Sequence, residues 1–419
     1  MITPNTKYKK EKKKIPDLRF PGFEGEFFEL KIGKSIDQLV GFSFKGEDIV
    51  EDHSGIPLLR GVNITEGRIR HNKEIDRFYI GATSNLTKFF LKDGDLVIGM
   101  DGSKVGKNSA LITKEDEGSL LIQRVARIRV KETVSILFIF HHINSMRFHN
   151  YVEKVKTSSA IPHISSKQIN DFKIFFPTYP EQQKIASFLS VVDQKIQHLI
   201  RKKELLELYK KGVTQKIFPP VGGQAPEIRF RDENGNDFPD WEEKRLGDVA
   251  FINPKSKALP ETFIYIDLES VEKGMLLKEE EIKLKYAPSR AQRLLNNGDI
   301  LFQTVRPYQK NNYFFEKKGD YVASTGYAQM RAKKNPLFLY QLLHYQPLVN
   351  LIVRWSTGSN YPAISPSDLR NISILVPSVS EQEKIGSFLQ EIDLKIDSTI
   401  TEINQTKKFK KGLLQQMFV

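Results

Sequence analysis

The strongest constraint on this chain is that one segment of its sequence occurs twice. The segment Glu181–Phe218 aligns without a gap on Glu381–Phe418, so that EQQKIASFLSVVDQKI corresponds to EQEKIGSFLQEIDLKI. Sixteen of these 38 positions carry the same residue. At the same offset of 200, Ile161–Ser165 aligns with Tyr361–Ser365. The repeat is too long for a solenoid, so the sequence predicts a duplicated domain with a similar frame and divergent interiors.

Weaker similarities extend the duplication upstream. Pro16–Phe20 (PDLRF) resembles Pro226–Phe230 (PEIRF), and Gly94–Leu96 (GDL) resembles Gly298–Ile300 (GDI). These pairs lie at different offsets. Insertions and deletions have therefore accumulated between the two copies.

Each tail of the duplicated segment has the heptad spacing of an amphipathic helix. A helix of this length with one apolar stripe is not stable alone in water, so we expect the two copies to pair in a coiled coil. The alternative is that each helix packs on its own domain. Polar residues within the seam would fix its register at some cost in stability. The seam positions are Ile185, Leu189, Val192, Ile196, Leu199, Lys203, Leu206, Lys210, Val213 and Ile217 in the first copy and Ile385, Leu389, Ile392, Ile396, Thr399, Ile403, Thr406, Lys410, Leu413 and Met417 in the second.

The interiors of the two copies have the pattern of α+β domains. Short β-rich runs, Asp95–Gly99 and Asp299–Gln303, each follow a Gly-Asp turn. A more helical stretch follows in each copy, at residues 135–155 and 336–354.

A polar loop of small residues then precedes a capped helix in each copy. In the first copy the loop is 156–160, and Ser165 with Gln168 predicts a capping box. In the second copy the loop is 356–360, and Ser365 precedes a proline at the first helical position. Each polar loop is therefore expected to lie between two helices.

The charge balance favours an anionic partner. Lys and Arg total 64 against 51 Asp and Glu, which gives a formal charge of +13 and a pI near 9.4. Nucleic acid is the leading candidate, although a solvated basic surface is the alternative. The absence of cysteine excludes disulfides and thiolate zinc sites, as is usual in a reducing cytosol. Because no apolar run has the length of a signal peptide or a membrane span, we expect a soluble, cytoplasmic protein.

Two loops in each interior carry the residue types that read DNA. Basic side chains contact phosphates, and forked or amide groups contact base edges. A single such residue is more often part of a solvated loop, but their recurrence at equivalent places of a duplicated frame favours function. The candidate DNA-binding residues are Lys104, Lys107, Asn108, Lys156, Thr157, Ser158, Ser159 and His163 in the first copy and Arg306, Tyr308, Gln309, Lys310, Asn311, Arg354, Thr357, Ser359, Asn360 and Tyr361 in the second.

Signatures of catalysis are poor. Gly106-Lys107 is followed by Asn108, and Asp101 stands where a P-loop needs its first glycine, so the segment is predicted to be a turn. The run Asn335–Phe338 (NPLF) departs from the Asn-Pro-Pro-Phe motif of adenine methyltransferases. The eight histidines show no ligand spacing. We therefore predict neither a catalytic nor a metal site.

The order of motifs around each long helix carries a resemblance to a known family. Pro-x-Ile-Ser precedes a short helix, a Phe-Pro or Val-Pro step follows, and Glu-Gln-x-Lys-Ile-x-Ser-Phe-Leu with Asp-x-Lys-Ile opens the long helix. This order is similar to that of the specificity (S) subunit of type I restriction-modification systems. The resemblance covers essentially the whole chain, although the interiors match only in pattern.

The resemblance implies two target recognition domains, each reading one half of a bipartite site in double-stranded DNA, with an antiparallel pair of conserved helices between them. These helices would set the spacing of the two half-sites and dock the methyltransferase subunits. It implies no catalysis and no cofactor in this chain. Two copies of a methyltransferase (M) subunit, which uses S-adenosylmethionine, would bind it, and motor-endonuclease (R) subunits would complete a restriction enzyme. The alternatives are a coiled-coil scaffold that does not touch DNA and a stand-alone DNA-modifying enzyme.

The expected organisation is therefore α+β, with four segments. Residues 1–178 form the first recognition domain, 179–218 the first long helix, 219–378 a linker and the second recognition domain, and 379–419 the second long helix. Pro219-Pro220 and the glycines after them are expected to end the first helix. A lysine-rich N-terminal arm has no counterpart in the second copy, and phosphate attraction is its only expected role.

Overall fold

The computed structural model describes residues 13–220, 222–223, 225–256 and 258–418. Most of the lysine-rich arm, residues 1–12, lies outside the described residues. The chain divides into two compact units: unit 1 takes the residues up to Leu199 and those from Glu402 onward, and unit 2 covers Ile200–Thr401. Each unit thus contains one divergent interior and a part of both long helices. The four domain boundaries proposed from the sequence stay a prediction.

Two helices of 39 residues each are the longest elements, and they are α4 (Tyr179–Ile217) and α9 (Val379–Met417). Both were expected from the duplicated tails. α4 ends just before Pro219-Pro220, as predicted.

Unit 1 combines short strands with three short helices. Its helices are α1 (Ile136–Ile143), α2 (Met146–Val155) and α3 (Ser166–Asp171). Its strands are β1 (Lys13–Lys14), β2 (Phe27–Lys31), β3 (Ile36–Val40), β4 (Ile49–Val50), β5 (Ile56–Leu59), β6 (Ile64–Thr65), β7 (Arg68–Ile69), β8 (Phe78–Tyr79), β9 (Leu96–Gly99), β10 (Ser109–Leu111), β11 (Leu120–Leu121), β12 (Val125–Val130) and β13 (Lys173–Phe176).

Unit 2 repeats this composition. Its helices, besides the long ones, are α5 (Leu246–Val249), α6 (Pro336–Leu343), α7 (Gln346–Trp355) and α8 (Pro366–Asn371). Its strands are β14 (Glu242–Arg245), β15 (Ala250–Ile252), β16 (Thr262–Ile266), β17 (Val271–Glu272), β18 (Met275–Leu276), β19 (Glu281–Lys283), β20 (Ala291–Leu294), β21 (Asp299–Gln303), β22 (Tyr313–Phe314), β23 (Tyr321–Ser324), β24 (Tyr327–Ala332) and β25 (Ser373–Val376).

The same antiparallel sheet lies at the centre of each unit. Its strand order is β10-β9-β12-β3 in unit 1 and β22-β21-β24-β15 in unit 2. The central strands β9 and β21 are buried along their whole length, which explains why both have an apolar middle, Leu96–Ile98 and Ile300–Phe302. The α+β class and both predicted strands are confirmed.

Each helical stretch predicted between a strand and a polar loop is two helices. In unit 1 the break falls at Ser145, whose hydroxyl accepts the N–H of Phe148 and donates to the carbonyl of His142. This side chain starts α2 and satisfies the end of α1 at once, so the backbone turns without losing hydrogen bonds. The capping box of Ser165 and Gln168 is confirmed at the start of α3.

Within unit 2, the two long helices pack antiparallel. Lys210 of α4 pairs with Asp393 of α9 at 2.6 Å. Phe218, just after α4, packs on Phe338, and the backbone of Phe338 also approaches Gly386 near the start of α9. Residue numbers thus fall along α9 as they rise along α4.

Unit 1 has the equivalent contacts at an offset of 200. Lys410 of α9 pairs with Asp193 of α4 at 2.6 Å, and Phe418 stacks on His142 with ring centroids 3.8 Å apart. The two lysines occur at seam positions, so these ion pairs fix the helix register. The expected helix pairing is confirmed.

The long helices also pack on the interiors, which was the alternative weighed from the sequence. Ile385, Leu389 and Ile392 of α9 belong to one buried cluster with Phe338 and Leu342 of α6. The early turns of α9 therefore pack against both α6 and the end of α4, and this is why their seam positions are all apolar.

A buried carboxylate at the start of each long helix is held by an arginine from the weaker upstream repeat. Arg19 donates from Nε and Nη2 to Glu181 at 2.7 Å each, and Glu181 is 1% exposed. Arg229 does the same to Glu381, at 3.1 and 2.7 Å, and Glu381 is fully buried. This hydrogen bonding raises the pKa of both arginines.

The segments that carry these arginines also contact the far ends of the long helices. In unit 1, the N–H of Leu18 donates to the carbonyl of Gln416 in α9 at 3.0 Å. In unit 2, the N–H of Ile228 donates to the carbonyl of Lys216 in α4 at 3.0 Å. The repeated segment, Pro16–Phe20 in unit 1 and Pro226–Phe230 in unit 2, therefore contacts the C-terminal end of a long helix in both units.

Gly386 in α9 is a position where a side chain should not fit. A Cβ added there would lie 2.8 Å from the N atom of Phe338 and 3.0 Å from Oδ1 of Asn335, which caps α6. We expect Gly386→Ala to lower the free energy of unfolding of unit 2 by about 1–3 kcal/mol, because backbone must move. Urea unfolding of the whole chain measures it.

Gly212→Ala is the matched control. Gly212 is also helical and in unit 2, but a Cβ there meets nothing within 4 Å. It should raise stability by about 0.5–1 kcal/mol, because alanine restricts the unfolded chain. Equal effects of the two substitutions would contradict the close approach at Gly386.

Candidate nucleic-acid interface

In each unit the fold brings together two loops that are about fifty residues apart in sequence. Loop surface 1 consists of residues 101–108, after β9, and 156–163, after α2. The N–H of Gly102 donates to the carbonyl of Pro162 at 3.0 Å, and the N–H of Ile164 donates to that of Met100 at 2.9 Å. Backbone hydrogen bonds thus join the two loops into one surface.

Loop surface 2 has the same construction. It consists of residues 304–312, after β21, and 356–363, after α7. The N–H of Arg306 donates to the carbonyl of Pro362 at 2.7 Å, and the N–H of Ile364 donates to that of Thr304 at 3.1 Å. The two predicted loops of each copy are therefore neighbours at equivalent places.

The polar loop in each surface is closed by hydrogen bonds across its base. The N–H of Thr157 donates to the carbonyl of His163 at 3.1 Å, and the Thr157 hydroxyl lies 3.0 Å from both Ser159 Oγ and His163 Nδ1. Thr357 and Ala363 exchange two backbone hydrogen bonds of 2.9 Å each. These bonds fix the loops before any ligand binds, which lowers the entropy cost of recognition.

The predicted residues of loop surface 1 are mainly accessible. Lys104 and Lys107 are exposed, and Lys104 lies 3.8 Å from Glu66 in a solvent-exposed pair. Lys156 pairs with Glu153 at 2.7 Å. Ser158, Ser159 and His163 are also exposed, and Asn108 is half-buried. Weak exposed pairs of this kind leave lysines able to exchange a carboxylate for a phosphate.

Loop surface 2 is richer in aromatic residues. Tyr308 and Tyr361 are 49% and 64% exposed, and the guanidinium carbon of Arg306 lies 4.1 Å from the ring centroid of Tyr361. Gln309 accepts a hydrogen bond from Gln303 at 2.8 Å. Arg354, Thr357, Ser359 and Asn360 are exposed around them.

Two of the predicted residues of loop surface 2 also serve the fold. The ammonium of Lys310 donates to the carbonyl of His344 at 3.0 Å, at the end of α6. Burial and the nearby Lys210 and Lys211 lower the pKa of Lys310. Asn311 accepts the N–H of Lys273 through its side-chain oxygen at 3.1 Å. Lys310 is thus placed to position the loop rather than to present a free charge.

Sequence reasoning missed two residues beside these surfaces. Arg124, in the turn before β12, lies 3.1 Å from Asp101 of loop surface 1, and Trp355, next to Arg354, is 46% exposed. Arg124 has no sequence signal, because only the pairing of β9 with β12 brings it close. An aromatic residue beside an arginine at the edge of a polar loop could have identified Trp355.

The described residues give no support for a metal site, a membrane-spanning helix or a phosphate-binding P-loop. Within them, no group of three or more His, Asp or Glu side chains is arranged to hold a metal ion. None of the helices placed by the structure combines the length and apolarity that crossing a membrane requires. The P-loop-like segment at 101–108 is a turn, as predicted.

Two α+β units, each with a rigid basic and polar loop surface, define a protein of the DNA-reading class in which recognition is duplicated within one chain. The chain belongs to the type I restriction-modification specificity family. Residues 25–208 and 239–408 match the family described as the type I restriction modification DNA specificity domain. Two copies of this domain account for the duplication in the sequence.

Individual relatives agree with this assignment. The type I restriction enzyme MjaIX specificity subunit of Methanocaldococcus jannaschii is 25% identical over 68% of this chain and 69% of its own length. The putative MjaX specificity subunit of the same organism is 24% identical over 87% and 86%. In fold, the chain resembles the crystal structure of an S subunit from M. genitalium, with a TM-score of 0.63, 17% identity and coverage of 96% and 99%.

Proposed function

We propose that unit 1 and unit 2 each read one half of a bipartite double-stranded DNA site through loop surfaces 1 and 2. The observation that supports this most directly is the equivalent joining of two loops in each unit by backbone hydrogen bonds, while the exposed side chains differ. The two units share the same backbone arrangement of their loops but expose different side chains, so they read different bases. The net charge of +13 supplies the attraction to phosphates.

The long helices act as the partner-binding frame. Phe409 on α9 in unit 1 is 56% exposed, and its repeat equivalent Tyr209 on α4 in unit 2 is 53% exposed. Val191 and Leu205, which are 60% and 48% exposed, add apolar surface in the respective units. Recurring apolar patches of this kind suit two copies of one partner, which we take to be methyltransferase (M) subunits. Motor-endonuclease (R) subunits would join the same complex for restriction.

The chain itself has a recognition role and no catalytic one. The Asn335–Phe338 segment, which resembled a methyltransferase motif, caps and begins α6: Asn335 accepts the N–H of Phe338 at 2.8 Å. S-adenosylmethionine therefore belongs to the M subunits in this proposal, and this chain needs no cofactor. The complex acts in the cytoplasm, where it meets DNA.

Exchange of one recognition domain tests the proposal. Residues 20–178 are replaced by the equivalent segment of a relative with a different target, which leaves the Arg19–Glu181 pair in place. We expect the methylated site to change in one half only, because the loops of unit 2 are untouched. Sequencing of N6-methyladenine in cells that carry the hybrid with its M subunit measures this.

The reciprocal exchange of residues 230–378 is the matched control and should change the other half. It likewise leaves the Arg229–Glu381 pair in place. If either exchange altered both halves, the units would not read independently. If neither altered the site, the loop surfaces would not be the readers.

A further inference from the structure

The backbone of the loop surfaces is strained at basic residues. Of the five non-glycine residues with a positive φ in the described part of the chain, four are basic: Arg124, Lys273, Arg306 and Lys310. All four lie in or directly against a loop surface. The left-handed conformation is unfavourable for a residue with a Cβ, so its use here indicates that these side chains are required.

The equivalent positions in unit 1 are glycines. Residues 101–108 align with 305–312 through the same hydrogen bonds, so that Gly102 (φ 92°) corresponds to Arg306 (φ 53°) and Gly106 (φ 80°) to Lys310 (φ 54°). Glycine adopts this conformation without penalty. Unit 2 therefore has strained basic residues at two positions where unit 1, with the same loop construction, has glycine.

The contacts within the fold explain why a lysine is used at the strained position 310. They do not explain why an arginine is used at the strained position 306. Lys310 donates to the carbonyl of His344. Arg306 stacks on Tyr361, and its Nε is buried without a hydrogen-bond partner among the described residues. Its terminal nitrogens likewise form no hydrogen bond or ion pair to another described residue. Stacking on the ring of Tyr361 fixes the plane of the Arg306 guanidinium, and the N–H donors of this guanidinium have no hydrogen-bond acceptor among the described residues.

We infer that Arg306 reads a guanine in the half-site of unit 2, through two parallel hydrogen bonds from its guanidinium to O6 and N7. This inference rests on the proposed function and names the base recognised by one side chain. A flat, oriented, unpaired guanidinium matches the two acceptors that guanine alone presents side by side in the major groove. Unit 1 has Gly102 and Ile161 at the places of Arg306 and Tyr361, so its half-site has no such contact.

The inference predicts a change at a single base pair. For the wild-type complex with its M subunit, methylation sequencing should give a bipartite site with a fixed G·C pair in one half. Arg306→Gly and Arg306→Lys should each lose roughly 5- to 150-fold of the discrimination at that pair, with every other position unchanged. Competition binding with four duplexes that differ only at that pair measures the ratio.

Arg306→Gly also controls for folding. It places in unit 2 the residue that unit 1 carries, and it removes the backbone strain, so its thermal stability should equal or exceed that of the wild type. Tyr361→Phe keeps the stacking ring and should retain discrimination, whereas Tyr361→Ala should lose part of it at the same pair.

Each result has a distinct meaning. Relaxation at one G·C pair with retained stability supports the inference. A loss of affinity that is equal for all four duplexes, with a shallower salt dependence, would show a phosphate contact and overturn it, as would an unchanged site. A wild-type complex with no bipartite preference would refute the proposed function itself, before any variant is compared.

Discussion

Arg229→Ala is expected to lower the free energy of unfolding of unit 2 by about 3–5 kcal/mol. Glu381 is fully buried at the start of α9, and Arg229 supplies both hydrogen bonds to its carboxylate oxygens. Without the guanidinium, a charged carboxylate stays in the interior without a counter-ion. Arg229 also donates to the carbonyl of Pro239 at 2.6 Å, so the segment before β14 loses its anchor as well.

Chemical denaturation with a matched arginine variant measures this effect. Arg231 lies two residues away and pairs with Asp237 at 3.3 Å, but both side chains are more than two-thirds exposed. Arg231→Ala should therefore cost less than about 1 kcal/mol. The double variant Arg229→Ala, Glu381→Gln should recover part of the loss, because no charge is left buried. A small effect of Arg229→Ala alone would contradict the expectation that the buried carboxylate of Glu381 depends on Arg229.

Lengthening both long helices is expected to lengthen the unread spacer between the half-sites. Each helix of 39 residues is on the order of 58 Å long, at about 1.5 Å per residue. Insertion of four residues after Leu199 and four after Thr401, where the chain passes between units, adds one turn to each helix. The added rise is about 6 Å, which corresponds to roughly two base pairs at about 3.4 Å each.

Both helices must be extended for this result. An insertion in α4 alone, for example at Gly212, would shift Lys210 away from Asp393 or draw Phe218 out of the core of unit 2. That single insertion should inactivate the complex, and it serves as the control. The methylated motif in cells with the double insertion is the measurement. An active double-insertion variant with the original spacer would refute the proposal that the helices set the distance.

Regular patterns were predictable from the sequence because they recur. The duplicated tails gave both long helices to within two residues at their starts, and Ser165 with Gln168 gave the start of α3. The two buried strands were predictable because each follows a Gly-Asp turn and has three consecutive apolar residues in its middle. The polar loops were placed correctly as groups, because turns and caps are local in sequence.

Long-range contacts and backbone conformations were not predictable. Lys310 stays a predicted DNA contact, but its hydrogen bond to the carbonyl of His344 could not be predicted, because α6 lies far from it in sequence. Nothing in the sequence around Arg306 indicated its left-handed backbone, because a sequence pattern does not show which position of a loop takes a positive φ when the residue there is not glycine.

The contacts of Leu18 with Gln416 and of Ile228 with Lys216 have a consequence for the order of segments along the chain. The end of α9 meets the segment of Leu18 just as the end of α4 meets that of Ile228. Cutting the chain between Phe218 and Pro226, and joining the residues after α9 to those before Pro16, would leave both of these contacts within one unit each. We therefore expect a circular permutant cut and joined in this way to fold as the original chain does.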